Sequence, residues 1–180
     1  MMKILLLLSV LIIPSCGFHT IYSDNRISSQ SKAYNEELAS ITVKVSRDKI
    51  NQDLKNNLED VLNPGNIEID QKYIINISLN RSTGSSIITS TGSAGRQKVI
   101  LAAKYRLRDF HSGELIATGD VVADDDFDVE NKLFANYSAE NAIASNLTLV
   151  IARNIRNMLI NDIVNSYKVR EIPEEKELVF

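Results

Sequence analysis

Gln97-Lys98-Val99-Ile100-Leu101-Ala102-Ala103-Lys104-Tyr105-Arg106-Leu107-Arg108-Asp109 decides the fold. Val99, Leu101, Ala103, Tyr105 and Leu107 fall on one face, while Lys98, Lys104, Arg106 and Arg108 share the other with Ile100 and Ala102. A period of two over that length is the mark of a half-buried strand. Asp109-Phe110-His111-Ser112-Gly113 supplies turn residues, and Leu115, Ala117, Gly119, Val121 and Ala123 resume the alternation, so the two segments form an antiparallel hairpin.

Upstream, Tyr73, Ile75, Ile77 and Leu79 alternate with Asn76, Ser78 and Asn80, which predicts a strand over 72–81. Ile41, Val43 and Val45 do the same around Thr42 and Lys44. Between these strands Ile50, Leu54, Leu58 and Val61 recur at helical spacing, with Ser46 as the cap and Asn63-Pro64-Gly65 as the stop. Downstream, Ser138 caps a long helix whose apolar stripe includes Ala142, Ile143, Leu147, Val150, Ile151, Ile155, Met158 and Leu159, running to about 164. The order is strand, helix, strand, strand, strand, helix. Both helices can cover the apolar face of a four-stranded sheet, an α+β two-layer sandwich.

The N-terminus has a different character. Lys3 precedes an apolar run from Ile4 to Ile13, then Pro14-Ser15-Cys16. A basic residue, about ten apolar residues and a small residue before the cut describe a secretory signal peptide, too short to span a bilayer. Residues 1–15 are therefore expected to be removed. Cys16, the single cysteine, cannot form an internal disulfide, and its setting resembles the bacterial lipobox, in which the thiol is lipidated. Firm anchoring by acyl chains takes two or more of them. Residues 16–38, rich in Ser, Asn and Gln, read as the lipidated N-terminus and a tether. Residues 39–167 are expected to form one domain, and 168–180 a charged tail.

The sequence has 20 basic and 23 acidic residues, a net charge of -3. Loss of Lys3 with the leader makes the mature chain one unit more negative. That balance argues against wrapping nucleic acid. No cofactor pattern is found: Gly92-Ser93-Ala94-Gly95-Arg96 lacks the Gly-Lys-Ser/Thr of a phosphate loop and leads into a strand. Asp124, Asp125, Asp126, Asp128 and Glu130 form an acidic cluster, but Val129 and Ala135 stand where a calcium loop needs Gly and Glu, so the cluster reads as a solvated strand end, with no metal. No Ser-His-Asp or Cys-His arrangement is recoverable, and no catalytic residue is assigned. Ser82 to Gly95 reads as a long loop, with Ile87 and Ile88 free to insert into a partner or fold back on their own sheet.

Cys16-Gly17-Phe18 with Tyr22, Arg96, Tyr105-Arg106-Leu107-Arg108-Asp109 leading into His111-Ser112-Gly113, Gly119, and Phe134-Ala135-Asn136-Tyr137-Ser138-Ala139-Glu140-Asn141-Ala142 resemble, in that order, the LPS-assembly lipoprotein LptE family in its alphaproteobacterial form. The resemblance implies a non-enzymatic lipoprotein on the periplasmic side of the outer membrane. It implies a plug for the large β-barrel that translocates lipopolysaccharide, assisting barrel assembly and binding that lipid. Phosphates need cations, and Arg96, Lys98, Lys104, Arg106 and Lys132 are the candidates by chemistry and position, with Ile87 and Ile88 as partner contacts. A lipoprotein accessory of an inner-membrane-driven lipid transporter is the alternative, and an envelope hydrolase a third reading.

Overall fold

A computed structural model describes the backbone of residues 28–88 and 94–171 and the side chains of residues 34–87 and 95–163. The elements are α1 (Ser28–Ala39), β1 (Ile41–Lys44), α2 (Lys49–Leu62), β2 (Tyr73–Ile88), β3 (Ala94–Asp109), β4 (Leu115–Asp128) and α3 (Leu133–Glu171). The strands form one sheet in the order β1-β2-β3-β4, with β1 parallel to β2 and the other pairs antiparallel. The expected α+β architecture is present, with α1 as an additional helix.

The two-residue period of β3 does what it predicts. Val99, Leu101, Ala103, Tyr105 and Leu107 are all buried beneath the helices, joined by Ile75 and Ile77 of β2 and Val121, Ala123 and Phe127 of β4. Against them α2 lays Leu54, Leu58 and Leu62, and α3 lays Ala144, Leu147, Ile151, Ala152, Ile155, Leu159 and Ile163. Val150 and Ala142, expected on the stripe, point to solvent. Where α2 meets α3 the seam is polar: Asn57 Nδ2 donates to Thr148 Oγ1 at 2.7 Å, Thr148 donates to the Ser145 carbonyl at 2.6 Å, and Ser145 Oγ donates to Asp53 at 3.3 Å. Thr148 is fully buried, so these bonds satisfy a group that would otherwise be costly to bury.

Four expectations need correction. Asp48, not Ser46, caps α2, accepting from the Asn51 backbone N–H at 3.0 Å. The helix Ser28–Ala39 takes in residues 28–38, expected as part of the tether. Only Leu38 of the side chains described there joins the core, so no apolar period announces the helix. Helix α3 begins at Leu133, five residues before Ser138, and its backbone continues to Glu171, into the expected tail. Its 39 residues give a length of about 58 Å. Finally, Ser82 to Gly95 is not a long loop: Ser82 to Ile88 pair with Ala94 to Ile100 as a hairpin arm, with irregularities near Ile87. Residues 89–93, Cys16 with residues 1–27, the side chain of Ile88, and residues 172–180 of the expected tail lie outside the described residues.

The Asp48 cap carries a pH signature. Its carboxylate is held below the usual range first by the Asn51 backbone N–H and then by the Asn51 side chain. A depressed folded pKa stabilises above the ordinary value near 4 and is lost as pH falls through the folded one. Asp48→Ala is expected to cost about 1 kcal/mol at neutral pH. Melting curves of variant and parent should converge in strong acid.

Candidate phosphate-binding face of the open sheet

The helices cover one face of the sheet, and the basic row of β3 lies on the other. Cross-strand register decides how much positive charge that row retains. Arg96 lies opposite Asp128, Lys98 opposite Asp126, Lys104 opposite Asp120 and Arg106 opposite Thr118. At the hairpin end Lys98 Nζ contacts Asp124 at 2.8 Å and Arg96 Nε contacts Asp128 at 3.3 Å. The hydrogen bond to Asp124, with the Asp124 and Asp126 charges behind it, holds the Lys98 proton above its usual range. Arg96 and Lys98 are therefore matched by three carboxylates on the same face.

The opposite end is different. Lys44 of β1, Asn76 of β2, Arg106 of β3 and Thr118 of β4 form one row across the sheet, set by the registers Lys44↔Asn76, Asn76↔Arg106 and Arg106↔Thr118. Lys104 stands one row away, with a loose contact of 3.7 Å to an exposed Asp120. Among the described residues, Lys44 and Arg106 have no acidic partner at ion-pair distance. Lys44, Asn76, Ser78, Lys104, Arg106 and Asp120 line an open depression of about 600 Å³, three cations against one carboxylate. Its amide, hydroxyl and cationic donors suit a phosphate or carboxylate.

The candidate cations thus divide. Lys104 and Arg106 come together, Arg96 and Lys98 sit roughly 20–30 Å away along β3, and Lys132 is exposed in the β4–α3 connection, off the sheet. Ile87 is 54 % exposed beside Arg96 at the hairpin end. Sequence reasoning missed Lys44. Its outward position was legible from the alternation of β1, but its row mates depend on the parallel pairing of β1 with β2.

The acidic cluster is a strand end, as expected: the pleat sends Asp124, Asp126 and Asp128 to the open face and Asp125 with Phe127 to the other. Among the described residues no helix is long and apolar enough to cross a membrane.

Tyr105 secures the sheet behind the depression. Its hydroxyl donates to Asp162 of α3 at 2.8 Å. Burial first, then that bond and the Asp162 charge, push its phenol proton well above the usual range. Gly119, directly across on β4, leaves room for the ring. At the turn, Asp109 accepts from the N–H of His111 and Ser112 at 2.9 and 2.8 Å, and Gly113 takes φ +73°, a conformation glycine adopts without penalty.

No family model matches the chain, and no curated protein does. Solved structures with a similar fold do exist. A protein from Caulobacter crescentus CB15 assigned as a lipoprotein has a TM-score of 0.61 at 18% identity, covering 74% of this chain and 97% of that one. Rare lipoprotein B from Shewanella oneidensis gives 0.56 at 11% identity, covering 71% and 98%. A minor lipoprotein from Acinetobacter baumannii gives 0.53 at 11% identity, covering 68% and 90%. The chain therefore has a fold that it shares with bacterial lipoproteins, rare lipoprotein B among them.

Proposed function

We propose that the protein is an outer-membrane lipoprotein of the LptE kind, anchored through Cys16 on the periplasmic side. It acts as the non-enzymatic plug of the barrel that carries lipopolysaccharide to the cell surface. The observation that carries this reading is the coincidence of a lipobox-like Ile13-Pro14-Ser15-Cys16 with a fold found in lipoproteins. The open sheet face adds a chemical reason. Lys44, Lys104 and Arg106 are grouped with polar side chains on a concave surface, where the phosphates of lipopolysaccharide can be held by charge-assisted bonds. A polar outer face also suits a polar barrel lumen.

The test is a pull-down of the tagged protein from detergent-solubilised outer membrane, run beside labelled-palmitate incorporation. A stoichiometric large barrel is the expected companion, and label is expected in the parent and absent from Cys16→Ala. Recovery of inner-membrane transport subunits instead would favour the transporter accessory. A processed protein found unlipidated and unaccompanied would overturn both.

A further inference from the structure

The chain joins the sheet at one end only. There the last turn of α1 buries Leu38, Lys72 Nζ contacts Glu37 at 2.6 Å, and the Lys72 N–H donates to the Ser40 carbonyl at 3.1 Å. The Lys72 carbonyl accepts in turn from the Phe110 N–H at 2.8 Å. Through Lys72, then, the β3–β4 turn is bonded to the segment that leads back to Cys16. Eleven residues, 17–27, lie between Cys16 and α1, a reach of at most about 40 Å. The β2–β3 hairpin tip stands about 50 Å further on, along the 16 residues of β3.

Large apolar side chains are uncovered around the turn. Phe110 in the turn and Leu115 at the start of β4 are 42% and 48% exposed, flanked by Ile67 of the α2–β2 connection at 50%. The turn is held in this form by Asp109, which accepts from the N–H groups of His111 and Ser112. Just behind it, on the open face, Lys44, Arg106 and Arg108 offset the exposed Glu68, Asp70 and Glu114. Arg108 donates to the Gly113 carbonyl at 3.0 Å, which keeps its charge beside the turn.

The opposite end has the larger apolar group, Leu133, Phe134 and Tyr137, but in an acidic setting. Asn136 ties that group beside Glu130, and the five carboxylates from Asp124 to Glu130 outnumber the cations Arg96, Lys98 and Lys132. An anionic headgroup layer repels such an end and tolerates the other. Tether and charge thus select the same end.

We propose that the β3–β4 turn end is a lipid-contact surface. With Cys16 anchored, Phe110 and Leu115 enter the headgroup layer of a phospholipid bilayer, Ile67 borders them, Arg108 lies at phosphate depth, and the hairpin tip is held away from the membrane. A few half-exposed side chains bind a bilayer weakly by themselves. The acyl chains supply residence, and the turn supplies orientation. The inference rests on the lipid anchor at Cys16 and does not involve the barrel.

The chain has no Trp, so a single introduced Trp reports one place. Phe110→Trp and Leu115→Trp report the turn, and Phe134→Trp the far end. Each full processed chain is reconstituted into phosphatidylethanolamine–phosphatidylglycerol vesicles with and without brominated acyl chains. Co-sedimentation reads the anchor; bromine quenching reads the orientation. Both turn reporters should lose about half of their emission or more, as interfacial side chains do at that depth, while Phe134→Trp keeps its own. Adding Phe110→Glu to the Leu115→Trp chain should remove most of the quenching and leave co-sedimentation unchanged. Chains that stay in the supernatant would sink the anchor and the proposal with it. Chains that sediment with Phe134→Trp quenched, or with no reporter quenched, would overturn the proposal and leave the anchor standing.

Discussion

Gly119→Ala is expected to destabilise the fold by about 3 kcal/mol, lowering the melting temperature by about 10 °C for a domain of this size. A Cβ at that position would stand 2.5 Å from Tyr105 Cε1 and 2.7 Å from both Cζ and Oη. The ring has little room to withdraw. It is 1% exposed, and its hydroxyl is tied to Asp162 at 2.8 Å. Gly84→Ala is the control, because a Cβ there meets nothing within 4 Å, and it should change stability by less than about 0.5 kcal/mol. Combining Gly119→Ala with Tyr105→Leu should recover part of the loss, a coupling that urea denaturation of the double-mutant cycle will measure. Tyr105 also sets an alkaline limit. Its folded pKa is raised, so its stabilisation is complete below the unfolded value near 10 and declines as pH rises beyond it.

The second large effect concerns lipopolysaccharide. Reversal of Lys44 and Arg106 to Glu is expected to reduce binding of the purified lipid to the protein by roughly a hundredfold or more, since each of the two charge-assisted contacts contributes about 1.5–3 kcal/mol. Reversal of Arg96 and Lys98 should have a much smaller effect, because Asp124 and Asp128 already occupy their charges. Titration of both double variants against immobilised lipopolysaccharide, at fixed ionic strength, separates the two ends of the sheet. Equal losses would show that register does not select the site. No loss from Lys44 and Arg106 would count against lipid binding on this face.

The helix-covered half of β3 was legible because burial on one face forces apolar and polar residues to alternate. Ser82 to Ile87 obeys the same backbone geometry but is exposed throughout, so nothing in Ser-Thr-Gly-Ser-Ser distinguishes strand from loop. A similar reason hid α1, whose described contribution to the core is Leu38. The start of α3 escaped detection because Leu133 and Phe134 are exposed and lie outside the buried stripe. Asn136 instead ties that turn down, exchanging two 2.8 Å bonds with the Glu130 backbone. For the site, the outward sign of each β3 cation was readable, but its neutralisation was not. Knowing that Asp128 sits beside Arg96, while Arg106 faces Thr118, requires the register of β3 with β4.

The 39-residue continuous helix α3 has a consequence for a plug. The apolar belt of an outer-membrane barrel is about 25 Å tall, less than half the span of such a rod. A body built around it would therefore project from both mouths when seated upright, meeting surface loops at one end and periplasmic solvent at the other. It would act as a ruler whose truncation shortens reach before it loosens grip.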